Sequence, residues 1–406
     1  MLIIYNIGIK VYYFIAIITS VFNIKAKLWL NGRKGQQVTS MPKSVWFHFA
    51  SLGEFEQGRP VLEAVKALYP HHKIVITFFS PSGFEIRKNT SLADAVYYLP
   101  LDTAQNAQQF IETIKPVAAI FTKYEYWYHY FNELHKQQIP LYIISAIFRP
   151  KQIFFRWYGS LHREILSKVT RFFVQDEASK QLLSTIHINN VQVSGDTRFD
   201  RVYANTQQPK ALPVIAEFKN NRPVFIAGSS WPADEELIAP MTVQYPNWKF
   251  IFAPHEISEE KLNKLMSLLP TGKVVRFSQI PALRTPLSSC QILIIDNIGM
   301  LSSLYQYGQV AYIGGGFGAG IHNTLEAAAF GLPVIFGPNY TRFKEARDLV
   351  ALHGGFAISN AAQLQEIAGK LITDAEYLNK ASIVAAKLVA ESKGATALIM
   401  SNIVIL

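Results

Sequence analysis

Two doubly wound α/β domains behind an apolar N-terminal helix are the fold this sequence predicts. Three observations lead there. At 406 residues the chain is long enough for two cores. From Val45 onward, short β-rich runs alternate with helical patterns, the rhythm of βα units around parallel sheets. A polar stretch without strand pattern, residues 205–221, separates two such series.

The first element is the apolar run at residues 2–24, interrupted by Lys10 and two asparagines. Crossing a bilayer takes about 20 apolar residues, so the run has borderline length for an anchor. Its positive charge follows the apolar segment and no small-x-small site ends it, which is the reverse of a cleaved signal peptide. The positive-inside rule then puts the remaining chain in the cytoplasm. Tyr12, Tyr13 and the basic flank also suit a helix lying in the interface, and an ordinary buried helix is the third reading. No acidic residue precedes Glu54, whereas Lys10, Lys25, Lys27, Arg33, Lys34 and Lys43 all do.

The formal net charge of +10 calls for an anionic partner. Much of the basic excess adjoins the apolar run, so an anionic membrane surface accounts for it and no nucleic acid is needed. With 17% charged and 50% hydrophobic residues, the chain is excluded from the disordered class. A single cysteine, Cys290, excludes an internal disulfide and fits a reducing compartment. There is no Cys/His metal cluster and no P-loop lysine, which disfavours structural zinc and ATP or GTP hydrolysis.

Strands are expected at residues 45–50, 73–79, 117–122, 141–145 and 171–174 in the first half. In the second they are expected at 224–227, 250–253, 292–295, 310–313 and 333–336. The domains then run over residues 1–30 (anchor), 31–205 and 206–406, with the last helix free to pack back on the first domain. Doubly wound sheets bind ligands at the carboxyl ends of their strands, so the expected active site is a cleft faced by both domains.

The chemistry-bearing motifs follow strands. Phe47-His48-Phe49-Ala50-Ser51-Leu52-Gly53-Glu54 takes a buried strand through a glycine-containing turn into a helix from about residue 57 to 68. Glu54 on that turn either accepts a proton from an attacking hydroxyl or caps the helix and complements its dipole. Glu125, in Thr122-Lys123-Tyr124-Glu125-Tyr126-Trp127, follows another strand and faces the same edge; aromatic packing is the plain alternative. Arg198 lies between Asp196 and Asp200, where it holds an anion or pairs with Asp200.

In the second half, Gly314 to Glu326 (GGGFGAGIHNTLE) follows a strand and opens a helix. Glycines such as Gly315 let backbone N–H groups approach a phosphate. Asn323 or Thr324 caps the helix, and Glu326 can accept from ribose hydroxyls. A dinucleotide site would need an acid at the end of the next strand. Gly331 to Tyr340 contains none, so the NAD reading fails. Gly228 and Ser229, Pro254 and His255, and Ile298, Gly299 and Met300 end three further strands with small or polar residues. Together they argue for a nucleotide pocket better than any one alone.

In this order the segments resemble the Kdo transferase family of lipopolysaccharide core biosynthesis. Leu28 to Lys34 (LWLNGRK) is similar to that family's basic stretch after the anchor, and Ser51 to Glu54 to its S-x-GE turn. Glu125-Tyr126-Trp127 is similar in part to its TELWP turn, Gly195 to Asp200 to its GNxKFD segment, and Gly315 to Val334 to its glycine-rich donor segment. The resemblance implies a GT-B fold with no metal or other cofactor, CMP-Kdo as donor and a lipid A precursor as acceptor. It makes Glu54 the general base and Glu125 and Arg198 transition-state groups. Pro254, His255, Ile298, Gly299, Met300, Asn323, Thr324, Leu325 and Glu326 become contacts to CMP. The sequence departs from the pattern where His255 replaces an arginine, Met300 an acid, Arg198 a lysine and Tyr128 a proline. Two alternatives stand beside this reading: a UDP-sugar GT-B transferase of lipid or cell-wall synthesis, and a catalytically inactive lipid-binding module.

Overall fold

The computed structural model describes residues 1–405. Chain contacts divide it into two compact units, Met1–Asp200 together with the C-terminal segment from Lys393, and Arg201–Ser392. The division falls inside the helix Thr197–Gln207.

The first unit holds a seven-stranded sheet. Its strands are β1 (Ser44–Phe49), β2 (Lys73–Phe78), β3 (Ala95–Tyr98), β4 (Pro116–Thr122), β5 (Leu141–Ala146), β6 (Arg171–Val174) and β7 (Val191–Val193). They are parallel throughout, in the order β3-β2-β1-β4-β5-β6-β7. The chain therefore reverses its direction of travel across the sheet between β1 and β4. The second unit repeats the plan with β8 (Val224–Ser230), β9 (Lys249–Pro254), β10 (Val274–Arg276), β11 (Ile292–Ile294), β12 (Val310–Ile313), β13 (Val334–Phe336) and β14 (Gly355–Ala357). Its order is β10-β11-β9-β8-β12-β13-β14, also all parallel, with the reversal between β8 and β12. Two parallel α/β sheets are the fold class expected from the sequence.

Ten of these strands match the expected runs, and the four others are β3, β7, β10 and β14. These four are the outer edges of the two sheets. An edge strand pairs on one side only and here spans three or four residues, too few for a hydrophobic pattern to register. Inner strands such as β1 are buried along their whole length, which is why they read as continuous apolar runs. Trp46, Phe121 and Tyr130 pack on one face of the first sheet and Phe47, Phe49 and Phe78 on the other.

Three helices position the first site: α1 (Leu2–Thr19), α2 (Ile24–Arg33) and α3 (Leu52–Leu68). The start of α3 corrects the sequence expectation. Glu54 lies in its first turn, with Ser51 as N-cap, rather than on a turn before a helix at residue 57. The glycine and proline at positions 58 and 60 suggest a break, but Gly58 serves close packing instead. A Cβ there would come within 2.5 Å of the Phe49 ring and 2.7 Å of the Thr122 hydroxyl. Arg33 is a second surprise. Its guanidinium donates to the carbonyls of Leu99, Trp29 and Phe79 and lies 3.9 Å from the Trp29 ring centroid. It clamps α2 to the sheet rather than presenting charge outward. Burial lowers its pKa to about 10, still leaving it charged at neutral pH.

Candidate active site

Loops that follow the two strands flanking a reversal form the crevice of an open α/β sheet. In the first unit those loops carry Glu54, after β1, and Glu125, after β4. The Glu54 carboxylate accepts from the Ala50 N–H at 2.6 Å, tying the first turn of α3 to the residue just before its N-cap. Burial, reinforced by the negative charge of Glu125, pushes its pKa up to about 7, against the lowering pull of the Ala50 and Ser51 N–H groups and Lys123. A carboxylate poised near neutrality is what proton abstraction needs.

Glu125 is held from two sides. Its Oε2 accepts from the Trp127 indole N–H at 3.0 Å and lies 3.4 Å from His48 Nε2. His48 is fully buried on β1, and its Nδ1 is 2.8 Å from the Thr77 hydroxyl. Burial keeps this imidazole below its ordinary pKa, so it is neutral near pH 7. Neither His48 nor Trp127 was given a role from the sequence. The available signal is a histidine near the end of a mostly apolar strand.

Arg198 pairs with Asp196. Its Nε and Nη2 donate to Asp196 Oδ2 at 2.9 and 2.6 Å, while Asp196 Oδ1 accepts from the Gln57 amide on α3. The Arg198 charge holds the buried Asp196 below the usual carboxylate range. Asp200 is engaged elsewhere, accepting from the N–H and hydroxyl of Thr396 at 2.7 Å. Tyr124 lies within the fields of Glu54, Arg198 and Asp196 together. The structure thus gathers Glu54, Glu125 and Arg198 at one edge of the first sheet.

In the second unit, the loops after β8 and β12 enclose a cavity of about 450 Å³, lined by Trp231, Asp234, Gly315, Phe317, Gly320 and His322 among others. Asp234 is its organiser, accepting from Trp231 N at 2.9 Å, Tyr312 Oη at 2.8 Å and Gly315 N at 3.0 Å. Gly315 has φ 91°, and Gly314 admits no side chain because a Cβ would lie 2.1 Å from the Ser229 carbonyl oxygen. Trp231 Nε1 donates to His322 Nε2 at 3.0 Å, and His255 stacks on His322 with ring centroids 4.3 Å apart. Burial and the neighbouring His255 lower the His322 pKa to about 4, so the ring accepts as a neutral imidazole.

The remaining expected donor residues divide. Pro254 ends β9, and the His255 N–H donates to the Ser230 carbonyl. Gly228 is closed in by the Tyr305 hydroxyl, and Ser229 adopts φ 51° at a register shift in β8. Thr324 holds the N-cap position of the helix Leu325–Ala329, but the side chain that serves the helix start is Asn323, which accepts from Leu325 N and donates to Glu326. The buried Thr324 hydroxyl has no partner. Leu325 is fully buried, so its side chain belongs to the core. Glu326 faces Arg201, which the sequence reading did not single out; that charge offsets part of the burial that raises the Glu326 pKa. Ile298 is 94% exposed and Gly299 has φ 97°, and neither they nor Met300 line the cavity. Among the described residues, no three His, Cys, Asp or Glu side chains converge as a metal site.

Residues 24–201 match the family described as 3-deoxy-D-manno-octulosonic-acid transferase (kdotransferase). Over that segment the chain is similar to Kdo transferases. Among curated relatives, the 3-deoxy-D-manno-octulosonic acid transferase of Haemophilus influenzae is 27% identical over 87% of this chain and 85% of its own length. The transferase of the same name from Aquifex aeolicus is 27% identical over 79% of this chain and 84% of its own length. By this similarity to named transferases over most of its length the chain is a glycosyltransferase. Solved structures place the fold in the GT-B group. The UDP-GlcNAc 2-epimerase of Neisseria meningitidis has a TM-score of 0.60 at 17% identity, covering 88% of this chain and 100% of that one. MurG of Acinetobacter baumannii has a TM-score of 0.55 at 12% identity, covering 89% and 98%.

Proposed function

We propose that this chain is a Kdo transferase that moves Kdo from CMP-Kdo to the lipid A precursor lipid IVA in lipopolysaccharide core biosynthesis, at the cytoplasmic face of the inner membrane. The observation that carries the reading is the carboxylate of Glu54, placed beside a sheet reversal with a pKa near 7. Glu54 takes the proton of the acceptor hydroxyl as its oxygen attacks the anomeric carbon. The bond from that carbon to the CMP phosphate oxygen breaks, CMP leaves, and the anomeric centre inverts. Arg198, aimed by Asp196, and Glu125, aimed by Trp127 and His48, stabilise the charge that develops. Gly228, Ser229, Pro254, His255 and the Gly315 and Asn323–Glu326 loop hold CMP. Backbone N–H groups and basic side chains neutralise the leaving phosphate, which is why no metal is invoked.

Mass analysis of lipid IVA after incubation with CMP-Kdo or with UDP-sugars tests this. The expected product carries added Kdo with CMP-Kdo alone; transfer from a UDP-sugar overturns the donor assignment.

The two carboxylates also make a pH prediction. If Glu54 must be ionised, kcat/KM rises through the Glu54 pKa near 7 as pH increases. Glu125→Gln removes the neighbouring charge that holds this pKa up, so the acid limb moves to lower pH. A pH–rate profile of the variant measures it, and an unmoved limb shows that the carboxylates do not interact.

A further inference from the structure

Along α1 the half-buried residues are Leu2, Tyr5, Asn6, Ile9, Tyr13 and Ala16, a single stripe at helical spacing that runs almost the whole length of the helix. The stripe is a docking seam. The Tyr5 hydroxyl donates to the buried Asp102 at 2.5 Å, and Asn6 Oδ1 lies 2.7 Å from His129 Nε2. Beside the seam, the Tyr12 ring packs on Trp29 at 5.5 Å and Phe79 at 6.1 Å. The opposite face is bare. Ile3, Ile4, Ile7, Phe14, Ile15 and Ile18 each expose half or more of their surface.

We propose that α1 binds the phospholipid bilayer sideways, lying in the headgroup plane with its seam still closed on the first unit, and does not cross the membrane. Crossing would require the seam to open, leaving Asp102 without Tyr5 and His129 without Asn6, and would carry Lys10 and Asn6 into hydrocarbon. In the plane, these groups keep their places. Asn6 stays in the seam, and Lys10, roughly a quarter-turn away at 3.6 residues per turn, sits at the border where a headgroup phosphate lies. The exposed Lys25, Lys27 and Lys34 match anionic headgroups, with no acid before Glu54 to oppose them. This attachment has a consequence for the site. Phe79, in contact with Tyr12, packs on Trp127 at 5.2 Å, and Trp127 holds Glu125. The bilayer surface therefore flanks the carboxylates through two ring contacts. The mode of attachment does not depend on which sugar or donor is used.

The test uses the full chain with Cys290→Ala and single cysteines in place of Ile4, Val11 or Ile18, each spin-labelled on phosphatidylethanolamine–phosphatidylglycerol vesicles. Equal, shallow depths at all three positions are expected, with no label reached by a quencher trapped in the lumen. A label at Val11 near the bilayer centre, or one at Ile4 reached from the lumen, overturns the proposal in favour of a spanning helix. Labels that stay in water overturn it in favour of a protein partner for this face. A thiol crosslink between Asn6→Cys and His129→Cys supplies the second measurement. The locked chain is expected to bind vesicles as the unlocked one does, and loss of binding sinks the in-plane mode.

Discussion

Glu54→Gln is expected to lower kcat for sugar transfer by about 10²- to 10⁴-fold, the usual contribution of a positioned general base. Glutamine keeps an oxygen to accept from Ala50 N–H, so the turn and the start of α3 survive while the proton acceptor is lost. Donor affinity, governed by the second unit, stays near the wild-type value. The same variant has a stability signature of opposite sign. Glu54 has its folded-state pKa raised from 4.5 to about 7, so its ionisation opposes folding. The folded protein loses stability as pH rises between those two values, and the loss is complete above the upper one. Glu54→Gln is therefore more stable than wild type above pH 7, by up to about 3 kcal/mol at 1.36 kcal/mol per pKa unit, and shows little difference near pH 4. Urea unfolding at both pH values reads this directly. Full activity in the variant refutes Glu54 as the base, and equal stability at high pH refutes its desolvated placement.

Asp234→Ala is expected to do the largest damage to the donor unit. Three donors converge on this carboxylate, and removing it orphans Trp231 N, Tyr312 Oη and Gly315 N at once. Buried donors left unsatisfied cost about 1–3 kcal/mol each, so a loss of about 3 kcal/mol or more is expected in thermal or urea unfolding. The loop from Gly315 to His322 loses its tether, and donor KM rises more than acceptor KM. Asp234→Asn is the control. Burial already raises the Asp234 pKa, and asparagine has no charge to desolvate while its oxygen still accepts from both N–H groups. If Asn costs as much as Ala, the hydrogen bonds are not what secures the loop.

How far these residues were legible in the sequence depends on the range of the interaction that defines them. Glu54 and Glu125 are visible because each follows a β-rich run, and strand-to-loop punctuation is local. Their shared edge lets the sequence expect that each shifts the other's pKa, but the burial that raises Glu54 most is not visible, since it depends on residues packed from distant parts of the chain. Arg198 illustrates the limit more sharply. The sequence offers two flanking acids, and the choice of Asp196 is made by Gln57, 139 positions away. Asp200 meets Thr396 from the far end of the chain. Leu325 and Ile298 show another limit: a motif position says nothing about whether a side chain points into a core or into water.

By itself the sequence determined two parallel α/β units, the strand-end placement of the candidate carboxylates and the glycine-rich loop, and the family resemblance. These rest on hydrophobic periodicity and on glycine and proline punctuation, which act over a few residues. Tertiary structure alone decided the four edge strands, the pairing of Arg198, the elevated pKa of Glu54 and the seam beneath α1. Each of these depends on burial or on a partner distant in the chain. The asparagine at position 6 carries the lesson: along the chain it interrupts an apolar run, and in the fold it meets His129.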